Sequence, residues 1–287
     1  MKFLKQLLDF YINSSIHVAL SCFALVKTSY IIVNIPSDNS VACFAFFGTL
    51  VGYNFVKFDA LARANKNKMR SRLKAITVFS FVSLFMVIYY FFKLQYTTKI
   101  VATLFLILTI LYTLPFFPNT KNARNWSGLK IYIVAICWVG VTVVLPILNS
   151  GISFQNSFYI IALQRFFLIF SLILIFEIID LKTDDPHLKT VPQQIGVKNT
   201  KILGFILIIV FCVLGFFIGN GNSNGNSNDN INGNINIQFL ELQLNFVIAF
   251  VIAIFLVFSN ENRSKYYTSF WVESVPILWW FVLFICN

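Results

Sequence analysis

Long apolar runs separated by short polar segments make up almost the whole chain. A membrane-spanning helix needs roughly 17–25 mostly apolar residues, and nine runs approach that length. They cover residues 12–34, 41–58, 75–92, 100–117, 129–148, 157–179, 202–218, 240–258 and 270–286. The first run is the weakest, because polar residues interrupt it at Asn13, Ser14, Ser15 and His17. The pattern predicts an all-α polytopic membrane bundle of about nine transmembrane helices, with residues 1–287 forming a single transmembrane domain.

The basic residues lie mostly in alternate loops between these runs. The loops after the second, fourth, sixth and eighth runs hold most of the Lys and Arg, whereas residues 35–40, 149–156 and 219–239 hold none. Only Lys93 and Lys99 depart from this alternation. Because Lys and Arg are retained on the cytoplasmic side of short loops, the N-terminus is predicted inside and the C-terminus outside. An odd number of spans satisfies that orientation, and we expect an integral protein of the bacterial inner (cell) membrane.

The composition is typical of an integral membrane protein. The chain is 58% hydrophobic and 11% charged, and its mean hydropathy is +0.77, too apolar for a water-soluble domain of this size. The formal net charge of +11 does not indicate nucleic-acid binding, because the basic residues are distributed among short loops instead of forming one solvated face. Residues 219–236 are an Asn/Gly/Ser tract, and we predict a disordered external loop there.

The richest cluster of ionisable residues follows the sixth run, in the segment FEIIDLKTDDPHLKTVPQQIG at 176–196. Glu177, Asp180 and Asp184 are spaced three and four apart, which places them on one helical face. Three like charges repel, and a divalent cation such as Mg²⁺, which prefers oxygen ligands and bridges to phosphates, would relieve that repulsion. Lys182 and Lys189 are close enough in sequence to neutralise phosphate. In the alternative interpretation, the acids and lysines pair with one another at a solvated helix end.

The same segment resembles the second Asp-rich motif of the UbiA superfamily of membrane prenyltransferases. That motif has the form DxxDxxxD followed by K-T-x-P-x-x-x-G. The matching positions are Glu177, Asp180, Asp184, Lys189, Thr190, Pro192 and Gly196. Residues 111–130, LYTLPFFPNTKNARNWSGLK, are similar to the family's Tyr-x-x-Pro and basic loop between helices four and five. With the matching helix number and orientation, the resemblance covers most of the chain and implies a UbiA-like fold.

The resemblance also implies a reaction, the transfer of a prenyl group from a prenyl diphosphate to an acceptor, commonly an aromatic ring. In the family, Asp-rich motifs in loops 2–3 and 6–7 hold the Mg²⁺ that binds the diphosphate. By this resemblance Asp180 and Asp184 are the catalytic residues, and with Glu177 they are Mg²⁺ ligands. Lys182 and Lys189 are the corresponding diphosphate contacts. The implied partners are a prenyl diphosphate, an unidentified acceptor and the bilayer.

The first Asp-rich motif of the family, N-D-x-x-D-x-x-x-D at the end of helix two, is degenerate here. When Asn54 is aligned with its Asn, the three acidic positions are occupied by Phe55, Phe58 and Ala62. Asp59 is one position away, a rotation of about 100° on a helix.

Three interpretations of that degenerate motif remain open. The chain is a divergent enzyme in which Asn54 and Asp59 form a weaker metal site, or in which Lys57 replaces one Mg²⁺ and binds the diphosphate with Asn54. Alternatively, it binds a lipid diphosphate without turnover, or it is an inactive relative that serves as a membrane scaffold.

One further charged residue lies deep in a predicted span. Arg165 is in the middle of the sixth run, where a charge is costly unless it faces the bundle interior. It is predicted to contact the diphosphate or the acceptor, or else to pair with a buried partner such as Glu273.

Overall fold

Helices form nearly all of the parts of the chain that the computed structural model describes, which are residues 2–64, 71–113, 128–184, 188–221 and 231–286. At some ends of these ranges only the backbone is described. The helices are α1 (Lys2–Asn13), α2 (Ile16–Val33), α3 (Asn39–Ala64), α4 (Ser71–Lys93), α5 (Tyr96–Thr113), α6 (Leu129–Val139, continued by a π-helical turn at Gly140–Val144 and by Leu145–Asn149), α7 (Asn156–Asp180), α8 (Val191–Gly221), α9 (Ile231–Phe258) and α10 (Tyr267–Val272 as a π-helical turn, then Val275–Cys286).

Each of the nine predicted apolar runs overlaps a helix, and residues 114–117 of the fourth run lie outside the described part of the chain. Within the described residues, 8 helices are long and apolar enough to cross a membrane, and Tyr96–Leu111 of α5 is a shorter apolar helix. These helices expose large apolar side chains on the outside of the bundle, for example Phe81 and Phe85 of α4. Such a surface needs lipid around it. The predicted all-α membrane bundle is therefore confirmed.

The structure corrects the predicted start of the first span. Residues 2–13 form a separate helix, and the chain then breaks at Ser14 and Ser15 before α2 begins at Ile16. Ser15 has φ 60°, in the left-handed region, which interrupts a right-handed helix. The hydropathy window missed α1 because that helix is amphipathic, with Leu4 and Leu7 exposed on it. A short helix of this type is suited to the membrane surface.

Two further boundaries differ from the prediction. Helix α8 begins at Val191 and not near residue 202, and a kink at Gly196 divides its first turn from the rest. The polar side chains around this kink lower the hydropathy of that part of the helix. Of the predicted external loop 219–236, residues 219–221 belong to α8 and residues 231–236 to α9. Residues 222–230 lie outside the described part of the chain.

Contacts between loops show which helix ends lie together. At one end, Lys130 Nζ, at the start of α6, is 3.9 Å from Asp184 Oδ2, which follows α7. At the other end, Asn149 of α6 donates to Asp38 Oδ2 at 2.6 Å and accepts the Gln95 N–H at 2.8 Å. Alternate loops therefore meet at the same end, as the distribution of Lys and Arg predicted. The end that holds Asp184 is the predicted cytoplasmic end.

Helix α7 is largely enclosed by other helices and fixes the position of the site. Its buried side chains, such as Leu168, Ile175 and Ile178, join the main apolar core together with Trp279 of α10. Because α7 is held on most sides along its length, its C-terminal residues Glu177 and Asp180 emerge at a defined place at the predicted cytoplasmic end.

Candidate active site

Asp180 and Asp184 lie at the C-terminal end of α7, where the chain turns by one further helical turn. The carbonyl of Asp180 accepts the N–H groups of Thr183 and Asp184, both at 2.8 Å. This turn keeps the two aspartates on adjacent levels of one face. The Asp184 side chain is 16% exposed, and its Oδ2 is 3.9 Å from Lys130 Nζ. That oxygen is buried and has no hydrogen-bond partner within the described residues.

Two lysines from other loops supply the positive charge around these acids. Asp180 lies within the electrostatic influence of Asp184, of Lys265 in the segment after α9, and of Lys130. Neither Lys130 nor Lys265 is among the site residues that the sequence predicts. Their positions in predicted cytoplasmic loops place them at the same end of the bundle as the acids. The residues around them in the sequence, however, do not distinguish them from other loop lysines.

Glu177, predicted as a third metal ligand, is engaged elsewhere. It is 3% exposed, and its Oε2 accepts the backbone N–H of Val191, the first residue of α8, at 3.0 Å. An anion at a helix N-terminus satisfies a free N–H and interacts favourably with the helix dipole. Within the described residues, no group of three His, Cys, Asp or Glu side chains is assembled to hold a metal ion. Glu177 therefore fixes α7 to α8, while it also lies within electrostatic range of Asp184 and Lys130. Its role as a third metal ligand stays a prediction.

The two lysines predicted to contact diphosphate have different surroundings. Lys182 turns to the segment after α9, where its Nζ is 3.3 Å from Glu261 Oε1 and 2.5 Å from Asn262 Oδ1. Its side chain is 52% exposed. Lys189 has φ 45° and is exposed. Lys182 therefore forms an ion pair, as in the interpretation in which the lysines of this segment pair with acids. Its partner, however, is Glu261 in a neighbouring loop.

Gly196 explains why the motif after the acids contains a glycine. Its φ of 79° and ψ of 157° interrupt α8 and produce a kink. This combination of angles is essentially restricted to glycine.

On α3, Asn54 and Lys57 have separate partners. Asn54 is 3% exposed. Its Nδ2 donates to Ser80 Oγ at 2.9 Å, and its Oδ1 has no hydrogen-bond partner within the described residues. Lys57 Nζ is 3.5 Å from the Asn13 carbonyl and interacts electrostatically with Glu273 and Lys265. Phe55 is 46% exposed. The side chains of Asp59, Phe58 and Ala62 lie outside the described part of the chain.

A polar network around His17 lies beside Glu273. His17 Nδ1 accepts from Tyr11 Oη at 2.7 Å, and its Nε2 lies 2.9 Å from the Phe270 carbonyl. Partial burial, and to a smaller extent the charge of Glu273, raise the pKa of Tyr11. The polar interruption at 13–17 was the sequence signal for this network, although sequence analysis interpreted it only as a weakness of the first span.

Arg165 faces the bundle interior, as predicted, but its partner is not Glu273. It is 2% exposed and donates from Nη1 to the Leu25 carbonyl and from Nη2 to Ser29 Oγ, both at 3.2 Å. Its guanidinium also lies 5.2 Å from the centroid of the Trp279 ring. Arg165 therefore joins α7 to α2 and α10.

The oxygen atoms at this end of the bundle fit one Mg²⁺ ion better than two. Mg²⁺ is usually held by one or two carboxylates together with waters and substrate phosphates. Asp180 and Asp184 are such a pair, and the buried, unpartnered Oδ2 of Asp184 is an oxygen in need of a partner. Helix α3 offers the unpartnered Oδ1 of Asn54 and, within its described side chains, no carboxylate near that position.

The chain is similar to known proteins in its fold but not in its sequence. No protein-family model and no curated protein matches the sequence. Among solved structures, the apo structure of a UbiA homologue from Aeropyrum pernix K1 has a TM-score of 0.66 and 13% identity, covering 94% of this chain and 98% of that chain. A UbiA homologue from Archaeoglobus fulgidus bound to GPP and Mg²⁺ has a TM-score of 0.64 and 12% identity, covering 96% and 99%.

A third similar structure is that of a digeranylgeranylglyceryl phosphate synthase in membranes, with a TM-score of 0.58 and 14% identity. The alignment covers 100% of this chain and 97% of that chain. Such low identity carries no information about activity, but the agreement extends over essentially complete chains. The chain therefore has the fold of the UbiA homologues.

Proposed function

We propose that the chain binds a prenyl diphosphate at the predicted cytoplasmic end of the bundle and transfers the prenyl group to an acceptor in the membrane, in a Mg²⁺-dependent reaction. The observation that carries this proposal is that Lys130 lies beside Asp184 and that Lys265, from another loop, lies within electrostatic range of Asp180. Two carboxylates suit a divalent cation, and two lysines beside them suit a phosphate. The likeness to UbiA homologues bound to GPP or DMAPP and Mg²⁺ supports the proposal.

The residues have separate roles in this proposal. Asp180 and Asp184 hold the cation, while Lys130 and Lys265 neutralise the diphosphate. Mg²⁺ bound there would stabilise the negative charge that develops on the leaving diphosphate. Asn54 offers an amide oxygen from α3, and Lys57 adds positive charge there where the related motif has acids. Glu177 keeps α7 and α8 in register, and so holds Asp180 in position.

A second candidate function is binding of a lipid diphosphate without turnover. The observation that favours it is on α3, where the exposed Phe55 occupies an acidic position of the related motif and Lys57 interacts with Glu273. A single cation held by Asp180 and Asp184 would then bind the diphosphate, but it would not compensate the charge on the leaving oxygens sufficiently for the bond to break.

Purified protein in detergent distinguishes these functions. We would measure diphosphate release from DMAPP, GPP and longer prenyl diphosphates, each offered with a panel of aromatic acceptors, with and without Mg²⁺. In parallel we would measure the shift in apparent melting temperature. The test variant is Asp180→Asn combined with Asp184→Asn. Glu261→Gln is the matched control, because Glu261 is a partly exposed carboxylate that pairs with Lys182 outside the acid pair.

Each outcome of this experiment has a defined meaning. Mg²⁺-dependent release that the double variant loses and Glu261→Gln retains supports transfer. Stabilisation by the diphosphate without release supports the binding function. Release that survives in the double variant contradicts the assignment of Asp180 and Asp184, and the absence of both signals refutes both functions.

The proposal includes the orientation of the chain. A water-soluble diphosphate made in the cytoplasm reaches the acids directly if the loops that follow α3, α7 and α9 are cytoplasmic. Reporter fusions at residue 287 and in the loop after α7 test this arrangement in the bacterial inner membrane. The proposal requires an external signal from the first fusion and a cytoplasmic signal from the second.

A further inference from the structure

A second polar pocket lies in the opposite half of the bundle, away from the aspartates. It is lined by Gln164 of α7, Gly215 of α8, Glu241 and Asn245 of α9, and Trp279 of α10, together with apolar side chains. Gln164 precedes Glu177 by thirteen residues on α7, which corresponds to about 20 Å along the helix axis. The pocket is therefore separate from the candidate active site.

The polar groups of this pocket converge without satisfying one another. Asn245 is 6% exposed, and its Oδ1 has no hydrogen-bond partner within the described residues. Gln164 is 2% exposed and uses its Nε2 to donate to the Phe211 carbonyl at 3.3 Å, which leaves its amide oxygen for another partner. A buried polar atom without a partner is costly and is normally satisfied by a ligand or an ordered water.

Gly215 makes the approach of the two amides possible. A Cβ at this position would come within 2.6 Å of Asn245 Nδ2 and 2.8 Å of Gln164 Nε2. Any larger residue would therefore occupy the space that the two side chains share. The pocket has room for roughly one water-sized ligand.

Glu241 brings a negative charge that no group lining the pocket, within the described residues, balances. It is the one titratable group among the described residues that line the pocket. The nearby guanidinium of Arg165 is directed to the Leu25 carbonyl, Ser29 Oγ and the Trp279 ring. The sequence from 219 to 240 contains no Lys or Arg. A partly buried carboxylate in a membrane helix must then be protonated or be neutralised by a bound cation.

We propose that this pocket binds one monovalent cation, Na⁺ being the probe, through the carboxylate of Glu241 and the amide oxygens of Asn245 and Gln164. All three groups offer the oxygen ligands that hard cations prefer. One negative charge matches one monovalent cation, whereas a divalent ion would leave a net positive charge in an apolar region. The pocket binds this ion whether or not the chain transfers prenyl groups.

The test measures ion-dependent stability of the full chain purified in detergent. The apparent melting temperature is determined at alkaline pH in choline chloride, with NaCl or KCl replacing choline at constant ionic strength. A ligand that binds the folded state stabilises it in a saturable manner. We expect NaCl to raise the melting temperature of the unaltered chain by roughly 2–5 °C. Glu241→Gln and Asn245→Leu are expected to abolish this rise.

Gln243→Leu is the matched control, since Gln243 is an exposed amide on the same helix, and it is expected to retain the effect of NaCl. Equal melting temperatures in NaCl and choline chloride would overturn the proposal. Stabilisation by acid alone would also overturn the proposal, because it would show that a proton neutralises Glu241. An equal effect of NaCl on the melting temperature of all variants would overturn it as well. Binding of radioactive ²²Na⁺ to the unaltered chain gives a second measurement if Glu241→Gln does not fold. Absence of saturable ²²Na⁺ binding would likewise overturn the proposal.

Discussion

Replacement of Glu177 separates a structural carboxylate from a metal ligand. Glu177 is 3% exposed, and its Oε2 accepts the Val191 N–H at 3.0 Å, at the start of α8. Glu177→Ala removes both the hydrogen bond and the charge at this helix N-terminus. Glu177→Gln keeps the shape and an oxygen acceptor, and removes only the charge. The two variants therefore measure the two contributions separately.

The expected losses follow from these two contributions. An N–H left without its acceptor costs about 1–3 kcal/mol, and the loss of the anion from the helix N-terminus costs a further 0.3–1 kcal/mol, approximately. Glu177→Ala is thus expected to destabilise the chain by about 1–4 kcal/mol, and Glu177→Gln by less than about 1 kcal/mol. At roughly 2–4 °C per kcal/mol, only the Ala variant should show a large shift.

Thermal unfolding can be followed with a dye that becomes fluorescent on reaction with thiols, because Cys22 is buried in the folded bundle. Cys286 is exposed, and it is replaced by Ser in all chains to lower the background. Equal destabilisation by Ala and Gln would refute the hydrogen-bond argument. An unchanged melting temperature in Glu177→Gln, combined with loss of Mg²⁺-dependent stabilisation by a prenyl diphosphate, would show instead that Glu177 is a metal ligand.

Two further predictions concern the kink in α8 and the pair on α3 and α10. Gly196→Ala should destabilise the chain by about 1–3 kcal/mol because of the positive φ of Gly196. Gly48→Ala is the control and should be nearly neutral, because Gly48 lies in a helix with open space around it. Equal effects of the two substitutions in thermal unfolding would contradict the role of the kink. Lys57→Met removes a positive charge that acts on Glu273, and because the Lys57 side chain is exposed it should cost less than about 1 kcal/mol; Glu273→Gln should recover part of this loss. Additive effects of the two substitutions in the same assay would show that the side chains do not interact.

Much of the bundle could be predicted because hydropathy is a local property. Each predicted apolar run is mainly helical within the described residues, since a segment in lipid must satisfy its backbone hydrogen bonds internally. The alternation of Lys and Arg also indicated correctly which loops meet. The break at Ser15 and the start of α8 at Val191 were missed, because a left-handed residue and a few polar turns do not change the average hydropathy enough to mark a boundary.

The sequence by itself determined an all-helical membrane protein with Asp180 and Asp184 on one helical face, because helix periodicity fixes residues three and four apart. Only the tertiary structure decided what those residues meet. Lys130 lies beside Asp184, and Lys265 lies within electrostatic range of Asp180, both from other loops. Arg165 has its acceptors on α2, 136 and 140 residues away. The same holds for Glu177, whose acceptor role depends on the return of the chain into α8. Helix packing brings together residues that are far apart in the sequence, and a local sequence pattern does not predict such contacts.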